Sequence, residues 1–170
     1  MKKAYIGLGS NLGDRLINLK SSLDLLLAEP DIDLVSCSNV YMTDPVGGPE
    51  QESFLNACIS INTCLTPVIL LQKMLSVEDK MKRVRKEKWG PRIIDLDLLI
   101  YEGIKMNTPV LKLPHPHLEE RDFVLIPLSD IAPNLFLPGK DKNIKDVITN
   151  RKDTNTVIFY CHNNWYRSST

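Results

Sequence analysis

The chain has 170 residues, of which 43% are hydrophobic and 25% are charged, and these fractions are ordinary for one globular domain with its own core. Lysine plus arginine and aspartate plus glutamate balance at 21 each, which argues against nucleic acid or an anionic membrane as the main partner. No apolar run approaches the roughly 20 residues of a membrane span, and the N-terminus MKKAYIGLGSN lacks the apolar segment of a signal peptide.

The first part of the chain predicts a strand, a helix and a second strand. AYIGLG, at 4–9, has strand composition, and SNLGDR then turns the chain. Leucines at helical spacing from Asp14 predict a helix to about Glu29. An irregular strand follows at 32–43, and the Gly- and Pro-rich residues 44–53 predict a loop.

The middle of the chain predicts another strand, a helix and a further strand. FLNACISINT, at 54–63, alternates apolar and polar residues, as a strand with one buried face does. Thr66 and Pro67 suit the N-cap and first position of a helix, which we expect to reach about Arg83. A buried strand is predicted at 93–101.

The last part predicts a short hairpin, a Pro-rich turn at 114–117, a helix near 117–131 and mixed short elements. The overall order βαββαβ predicts a ferredoxin-like α+β fold, an antiparallel sheet with helices on one face and C-terminal additions. The other face is then covered by loops or left open to a ligand. We expect one domain over residues 1–160 and a tail of unknown role at 161–170.

The cysteines show no paired spacing of the kind that zinc sites use. They are Cys37, Cys58, Cys64 and Cys161. We therefore expect reduced, buried thiols in a cytoplasmic protein, in preference to a disulfide or a zinc site.

Two carboxylates interrupt the strand predicted at 93–101. Alternation places Asp95 and Asp97 on one strand face, opposite a continuous apolar face. That apolar face consists of Ile94, Leu96, Leu98 and Ile100. The Cα atoms of the two aspartates are expected roughly 6.6 Å apart, so the carboxylates repel each other unless water or a cation lies between them. Edge strands also use charge to block aggregation, so this pattern alone does not establish a metal site.

A basic segment leads directly into the aspartate pair. KMKRVRKEKWGPR, at 80–92, contains seven basic residues and one acidic residue. Such a run is most often a solvated loop. Arginine, however, donates in pairs to phosphate oxygens, and magnesium binds carboxylates together with phosphates. The juxtaposition therefore indicates a site for a metal–polyphosphate ligand.

GLGSNLG, at 7–13, is close to a dinucleotide-binding loop but does not fit it. Leu12 occupies the third glycine position and Gly13 comes one residue late, so we favour a tight strand-to-helix turn. A P-loop pattern is absent as well, and any ATP site must be built without one.

Glu78 is a carboxylate on a predicted apolar helix surface. It falls at helical spacing from Leu71 and Leu75, on or beside the buried stripe. A carboxylate there should have a partner, such as an arginine or a ligand hydroxyl.

The stretch PHPHLEERDF, at 114–123, offers further polar candidates. His115 and His117 stand beside prolines without partner cysteines, which argues against metal ligands. Phosphate contacts by His115 and Arg121 are the better hypothesis. Phe123 suits either a core position or a stacking surface, and the residues alone do not decide between them.

WGPRIIDLDLLIY, preceded by RVRKEK and followed by LPHPHLEERDFVLIPL, resembles the 6-hydroxymethyl-7,8-dihydropterin pyrophosphokinases. AYIGLGSNLGDR and FLNACISI also match, and the resemblance covers about residues 3–138. It implies a ferredoxin-like fold and a pyrophosphokinase of folate biosynthesis. Such an enzyme transfers pyrophosphate from ATP to the pterin hydroxymethyl group, releases AMP and uses two magnesium ions.

The resemblance also implies roles for individual residues. Asp95 and Asp97 would bind the metal ions, and with Arg83 and Arg92 they would form the catalytic set. The pterin would contact Thr43, Val46, Phe54, Asn56, Trp89 and Phe123. ATP would contact Glu78, Arg83, Arg85, Arg92, His115 and Arg121. The adenine contacts stay open where the chain departs from the family pattern, at Leu75, Val110 and Lys112. We expect a monomer.

A small RNA-binding module is the alternative from another class. It would use the same four-stranded sheet and the basic segment at 80–92. The aromatic-rich strand typical of such modules is absent, and the zero net charge also argues against it.

Overall fold

The computed structural model of the chain describes residues 1–45, 48–82, 90–137, 142–150 and 156–166. The strands among them are β1 (Lys2–Ser10), β2 (Ile32–Cys37), β3 (Val40–Thr43), β4 (Phe54–Thr63), β5 (Asp95–Tyr101), β6 (Met106–Asn107), β7 (Lys112–Leu113) and β8 (Val157–Cys161). The helices are α1 (Arg15–Leu27), α2 (Pro67–Lys80), α3 (Asp122–Ile131) and α4 (Ile144–Thr149), with 3-10 turns at Leu118–Glu120 and Asn163–Tyr166. No helix in these ranges is both long and apolar enough to cross a membrane.

The main sheet is antiparallel and has the order β5-β1-β4-β3-β8, with β2 also paired to β4. The predicted βαββαβ arrangement is therefore confirmed. The strand predicted at 32–43 is two strands, because the chain breaks at Ser38 and Asn39. There the backbone N of Ser38 donates to the Cys58 carbonyl (2.8 Å), and the Ser38 hydroxyl accepts from the Cys58 N–H (2.8 Å).

Helices α1 and α2 cover one face of the sheet. Their buried leucines pack with the aliphatic face of β4, as the alternation of that strand predicts. The opposite face is partly covered by α3 and α4. A second hydrophobic cluster lies between the sheet and these helices, and its buried residues include Cys58, Leu99, Val124, Leu125 and Leu128. The helices that follow the βαββαβ unit thus close part of the face that the sequence left to loops or a ligand.

A β-bulge makes one predicted face assignment wrong. The pairing of β1 with β5 shifts between Tyr5 and Ile6, whose partners are Ile100 and Leu98. Ile100 therefore packs in the α3-side cluster and not with Leu96 and Leu98. A bulge places one extra residue in a strand, and the alternation reverses after it.

The C-terminal segment completes the sheet. β8 pairs with β3, and the predicted domain boundary at residue 160 falls within β8, which ends at Cys161. Trp165 is 5% exposed, and its indole N–H donates to the carbonyl of Ser38 (2.9 Å). The Tyr166 hydroxyl donates to Asp24 on α1 (2.9 Å). Residues up to 166 are therefore packed onto the domain.

The thiols are free, but the expected burial holds fully for Cys58 alone. Cys37 and Cys161 are half-buried, and Cys64 is exposed. Burial is the main cause that raises the pKa of the Cys58 thiol, so this side chain stays protonated and acts as a small apolar residue.

Candidate active site

A cavity of about 570 Å³ opens on the sheet face opposite α1 and α2, beside α3. Its walls come from β1, β4, β5, the segment after β3 and residues 117–124. Of the residues predicted for the site, those that line it are Thr43, Phe54, Asn56, Arg92, Asp95, Asp97, Arg121 and Phe123. The structure therefore brings together residues that the sequence spreads over 81 positions.

Two glycines of the central strand form the floor of this cavity. Gly9 pairs with Asn56 on one side and Asp95 on the other, and Gly7 pairs with Cys58 and Asp97. A Cβ atom at Gly9 would lie 3.1 Å from Asn56 Oδ1 and 3.8 Å from Phe54 Cδ1. Because these glycines have no side chains, β1 adds little bulk to this face of the sheet. The side chains of β4 and β5, on either side of β1, therefore border the same space.

Sequence reasoning missed these floor residues. Both glycines fall in the strand predicted at 4–9, but that prediction gave their bare face no role. Within residues 7–13, only Gly13, with a φ of 62°, has the backbone conformation that favours glycine. Two glycines at i and i+2 in a strand share one face, and that spacing was the available signal.

The first aspartate belongs to a group of three side chains. Arg92 Nη1 lies 2.5 Å from Asp95 Oδ2, and the guanidinium stands over the Phe54 ring, 5.4 Å from its centroid. Nε of Arg92 is a buried donor that has no hydrogen-bond partner among the described residues. A buried donor without an acceptor costs free energy, so this N–H is suited to a ligand oxygen.

The second aspartate, Asp97, also lies beside an arginine that stands over a phenylalanine ring. Arg121 Nη1 lies 3.5 Å from Asp97 Oδ2, and this guanidinium stands 5.7 Å from the Phe123 centroid. Phe123 lines the cavity and is only partly buried. Each carboxylate thus has an arginine beside it, whose positive charge offsets part of the repulsion expected from the sequence.

The end of the cavity near β3 and β4 has a fixed polar pair. Asn56 and Thr43 are 6% and 3% exposed, and Asn56 Nδ2 donates to Thr43 Oγ1 (2.7 Å). The bond orients the Asn56 amide before any ligand arrives. Gln51 also lines this region and is not among the site residues predicted from the sequence.

The two histidines lie at different places relative to the cavity. His115 does not line the cavity, whereas His117 does, with its ring nitrogen 2.8 Å from Glu120. The Nδ1 atom of His115 accepts from the backbone N of His117 (3.2 Å). Burial, then the charge of Arg121 and the nearby His117, lower the pKa of His115 to about 4. His115 is therefore neutral at pH 7, and its proton is on Nε2.

This arrangement predicts a titration that nuclear magnetic resonance can measure. The pKa of His115 falls from 6.5 to about 4 on folding. Between these values the unfolded chain binds a proton that the folded chain does not, so folding stability should fall as pH falls through this window. The His115 ring resonances should show an Nε2–H tautomer down to about pH 5. His115→Gln should flatten the dependence of unfolding free energy on pH, and titration of His115 near 6.5 would contradict the assignment.

Glu78 lies away from the cavity. It is 3% exposed on α2, and its carboxylate accepts from the backbone N of Leu96 (2.8 Å). This main-chain amide is one partner of the carboxylate, and the arginine or ligand hydroxyl suggested by the sequence stays a prediction. Four other predicted site residues fall outside the described ranges, namely Val46, Arg83, Arg85 and Trp89.

Among the described residues, no three histidine, cysteine, aspartate or glutamate side chains form a group suited to a metal ion. The donor set at β5 is two carboxylates with two arginines beside them. Magnesium takes one or two carboxylates and completes its shell with phosphate oxygens and water. The residues therefore fit magnesium that arrives together with a polyphosphate.

Comparisons with known proteins agree with this chemistry. A family model described as 7,8-dihydro-6-hydroxymethylpterin-pyrophosphokinase (HPPK) matches residues 5–133. The 2-amino-4-hydroxy-6-hydroxymethyldihydropteridine pyrophosphokinase of Methylorubrum extorquens is 47% identical over 140 residues, which are 82% of this chain and 89% of that protein. The enzyme of the same name from Aquifex aeolicus is 38% identical over 161 residues, 95% of this chain and 97% of that protein.

A solved structure of wild-type HPPK-DHPS from Plasmodium falciparum, with pterin and p-hydroxybenzoate, has the same fold. The TM-score is 0.68 at 16% identity, and the match covers 87% of this chain and 42% of that chain. This chain therefore spans about two-fifths of the solved protein. Together, the family match over most of the chain and the identity to its curated relatives show that the chain belongs to the 7,8-dihydro-6-hydroxymethylpterin-pyrophosphokinase family.

Proposed function

We propose that this cavity binds ATP and 6-hydroxymethyl-7,8-dihydropterin side by side and transfers pyrophosphate between them, releasing AMP, in folate biosynthesis. The observation that carries the proposal is the pair of matching groups, Arg92–Asp95 and Arg121–Asp97, on one open sheet face. Paired carboxylates with adjacent arginines match the needs of a magnesium–polyphosphate ligand. The family of the chain supports the same reaction.

The aromatic and amide side chains suit the pterin. Phe54 and Phe123 both line the cavity and both have an exposed part of the ring available for stacking. Asn56, already oriented by Thr43, would bond the polar ring edge. Trp89 and Val46 stay proposed pterin contacts from the family resemblance.

In the reaction, the hydroxymethyl oxygen attacks the β-phosphorus of ATP as the bond from that phosphorus to the AMP oxygen breaks. The hydroxyl proton passes from the attacking oxygen to water, and the electron pair of the broken P–O bond stays on the AMP oxygen. Such a transfer depends mainly on positioning and on charge stabilisation. Arg92 and Arg121 would rotate from their carboxylates onto phosphate oxygens, with Arg83, Arg85 and His115 as further proposed phosphate contacts. Glu78 stays a proposed nucleotide contact from the family resemblance, and its hydrogen bond to Leu96 connects it to β5.

Magnesium would be held by Asp95 and Asp97, which the arginines release as they move to the phosphates. When bound, two ions would neutralise phosphate charge and align the reacting oxygens. The buried Nε of Arg92 supports this movement of the arginine from Asp95 to a phosphate, because it is a donor without a hydrogen-bond partner among the described residues.

The direct test is incubation of the purified chain with ATP, magnesium and hydroxymethyl-dihydropterin, followed by measurement of AMP. AMP should form only when the pterin is present, and chelation of magnesium should stop it. The proposal would be contradicted if the folded wild-type chain makes no AMP and instead binds RNA with an affinity that falls steeply as salt rises.

Asn56→Ala should weaken pterin binding selectively. The lost ring contact should cost roughly 1–3 kcal/mol, and the affinity for a non-hydrolysable ATP analogue should change little. Calorimetric titration with each ligand measures both effects. Ser60→Ala is the matched control, because Ser60 is buried on the same face of β4 but outside the cavity. Equal losses for both ligands would indicate a general structural defect and not a pterin contact.

Other properties remain part of the proposal. We expect a cytoplasmic monomer that acts on small molecules and not on nucleic acid or membranes. The free thiols support a reducing compartment, and the ATP requirement agrees with it.

A further inference from the structure

We infer that Asn11 is a positioning residue for Arg92 and couples the two sides of the cavity. The inference rests on the proposed function, which places Arg92 at the phosphates. Asn11 directly follows β1, is 1% exposed and does not line the cavity. It therefore acts through other residues and not on a substrate.

Asn11 fixes the main chain of Arg92 by two hydrogen bonds. Its backbone N donates to the Arg92 carbonyl (3.1 Å), and its side-chain Oδ1 accepts from the Arg92 N–H (2.8 Å). The backbone of a residue sets the direction of its Cα–Cβ bond. The two bonds thus help to aim the guanidinium at Asp95 and at the face of Phe54.

The same side chain also binds the segment that leads into β4. Asn11 Nδ2 donates to Gln51 Oε1 (2.9 Å) and to the Glu52 carbonyl (3.1 Å). Gln51 lines the cavity, and Phe54 follows it by three residues. One buried amide therefore connects the pterin side of the cavity, through Gln51, with the phosphate side, through Arg92.

Loss of this amide should affect turnover more than nucleotide affinity. Asn11→Ala should lower kcat by about 10- to 100-fold, as expected for misplacement of a catalytic group by a fraction of an ångström to one ångström. The dissociation constant of a non-hydrolysable ATP analogue, measured by calorimetry, should change far less.

A double-mutant cycle separates positioning of Arg92 from a general structural role. Asn11→Ala is introduced into the wild type, into Arg92→Ala and into Arg121→Ala, which removes the corresponding arginine of the other group. The loss in kcat should be large in the wild-type and Arg121→Ala backgrounds and should nearly vanish in Arg92→Ala. Equal fold-losses in all three backgrounds would overturn the inference.

Asn11→Asp is the second variant, and it tests the inference on its own if Asn11→Ala does not fold. Aspartate keeps an acceptor for the Arg92 N–H but cannot donate to Gln51 and Glu52. It should retain kcat within a few-fold and bind pterin more weakly. A large loss in kcat that is the same with and without Arg92 would again overturn the inference. Absence of AMP from the wild type would instead contradict the proposed function itself.

Discussion

Asp95→Asn and Asp97→Asn should each lower AMP production by at least about 100-fold, the size of effect seen when one charge-stabilising group is removed from an active site. Each substitution keeps the shape of the side chain but removes an anionic metal ligand. The measurement is kcat at saturating ATP and pterin over a range of magnesium concentrations. Asp33→Asn is the control, since Asp33 is exposed on β2 outside the cavity. Wild-type turnover by either variant would exclude the proposed metal role.

The fold should survive both substitutions. From the sequence, relief of repulsion between the carboxylates predicts that stability in the absence of ligands holds or rises. The structure changes this expectation, because each carboxylate has an arginine beside it. Partly exposed pairs of this kind contribute about 0–1 kcal/mol. Denaturant unfolding should therefore show a change of no more than about 1 kcal/mol, in either direction.

Arg92→Ala should lower kcat by about 100- to 1,000-fold, because we propose that this arginine stabilises charge on the transferred group. Arg92→Lys should recover only part of this loss, since lysine lacks the planar pair of donors. Lys145→Ala, an exposed substitution on α4, is the charge-matched control and should leave turnover unchanged. Turnover of Arg92→Ala within a few-fold of the wild type would remove Arg92 from the catalytic set.

A binding experiment tests the exchange between arginine and metal. Because Arg92 lies against Asp95, its removal should take away one cation that competes with a metal ion for this carboxylate. Arg92→Ala should therefore bind magnesium more tightly than the wild type when no nucleotide is present, as measured by calorimetry. Weaker or unchanged metal binding would show that the arginine does not compete with the metal for this carboxylate.

The sequence predicted the parts of this molecule that depend on local patterns. Periodicity placed α1, α2 and β4, and alternation placed Asp95 and Asp97 together on one face. It failed where the position of a residue depends on a strand that is distant in sequence. Ile100 changes face because of its register with β1, and the floor role of Gly9 appears only when β4 and β5 lie on either side of it.

The same limit explains the polar residues that were missed. Asn11 bonds to residues of a segment whose approach no short motif encodes, namely Gln51 and Glu52. His115 was selected by its place in PHPH, yet the ring that lines the cavity is that of His117. The phosphate contact of His115 stays a prediction, and which of the two neighbouring rings borders the cavity depends on the packed structure.

The packing of β8 and Trp165 onto the domain also affects how the chain folds during its synthesis. Trp165 and its acceptor, Ser38, are 127 residues apart in the sequence. A ribosome that adds 5–20 residues per second needs roughly 6–25 s to make that interval. For this period β3 has no β8 beside it, and its unpaired N–H and C=O groups can pair with other chains. The nascent chain therefore passes through a stage that is open to aggregation, and this stage ends when β8 and Trp165 pack onto the domain.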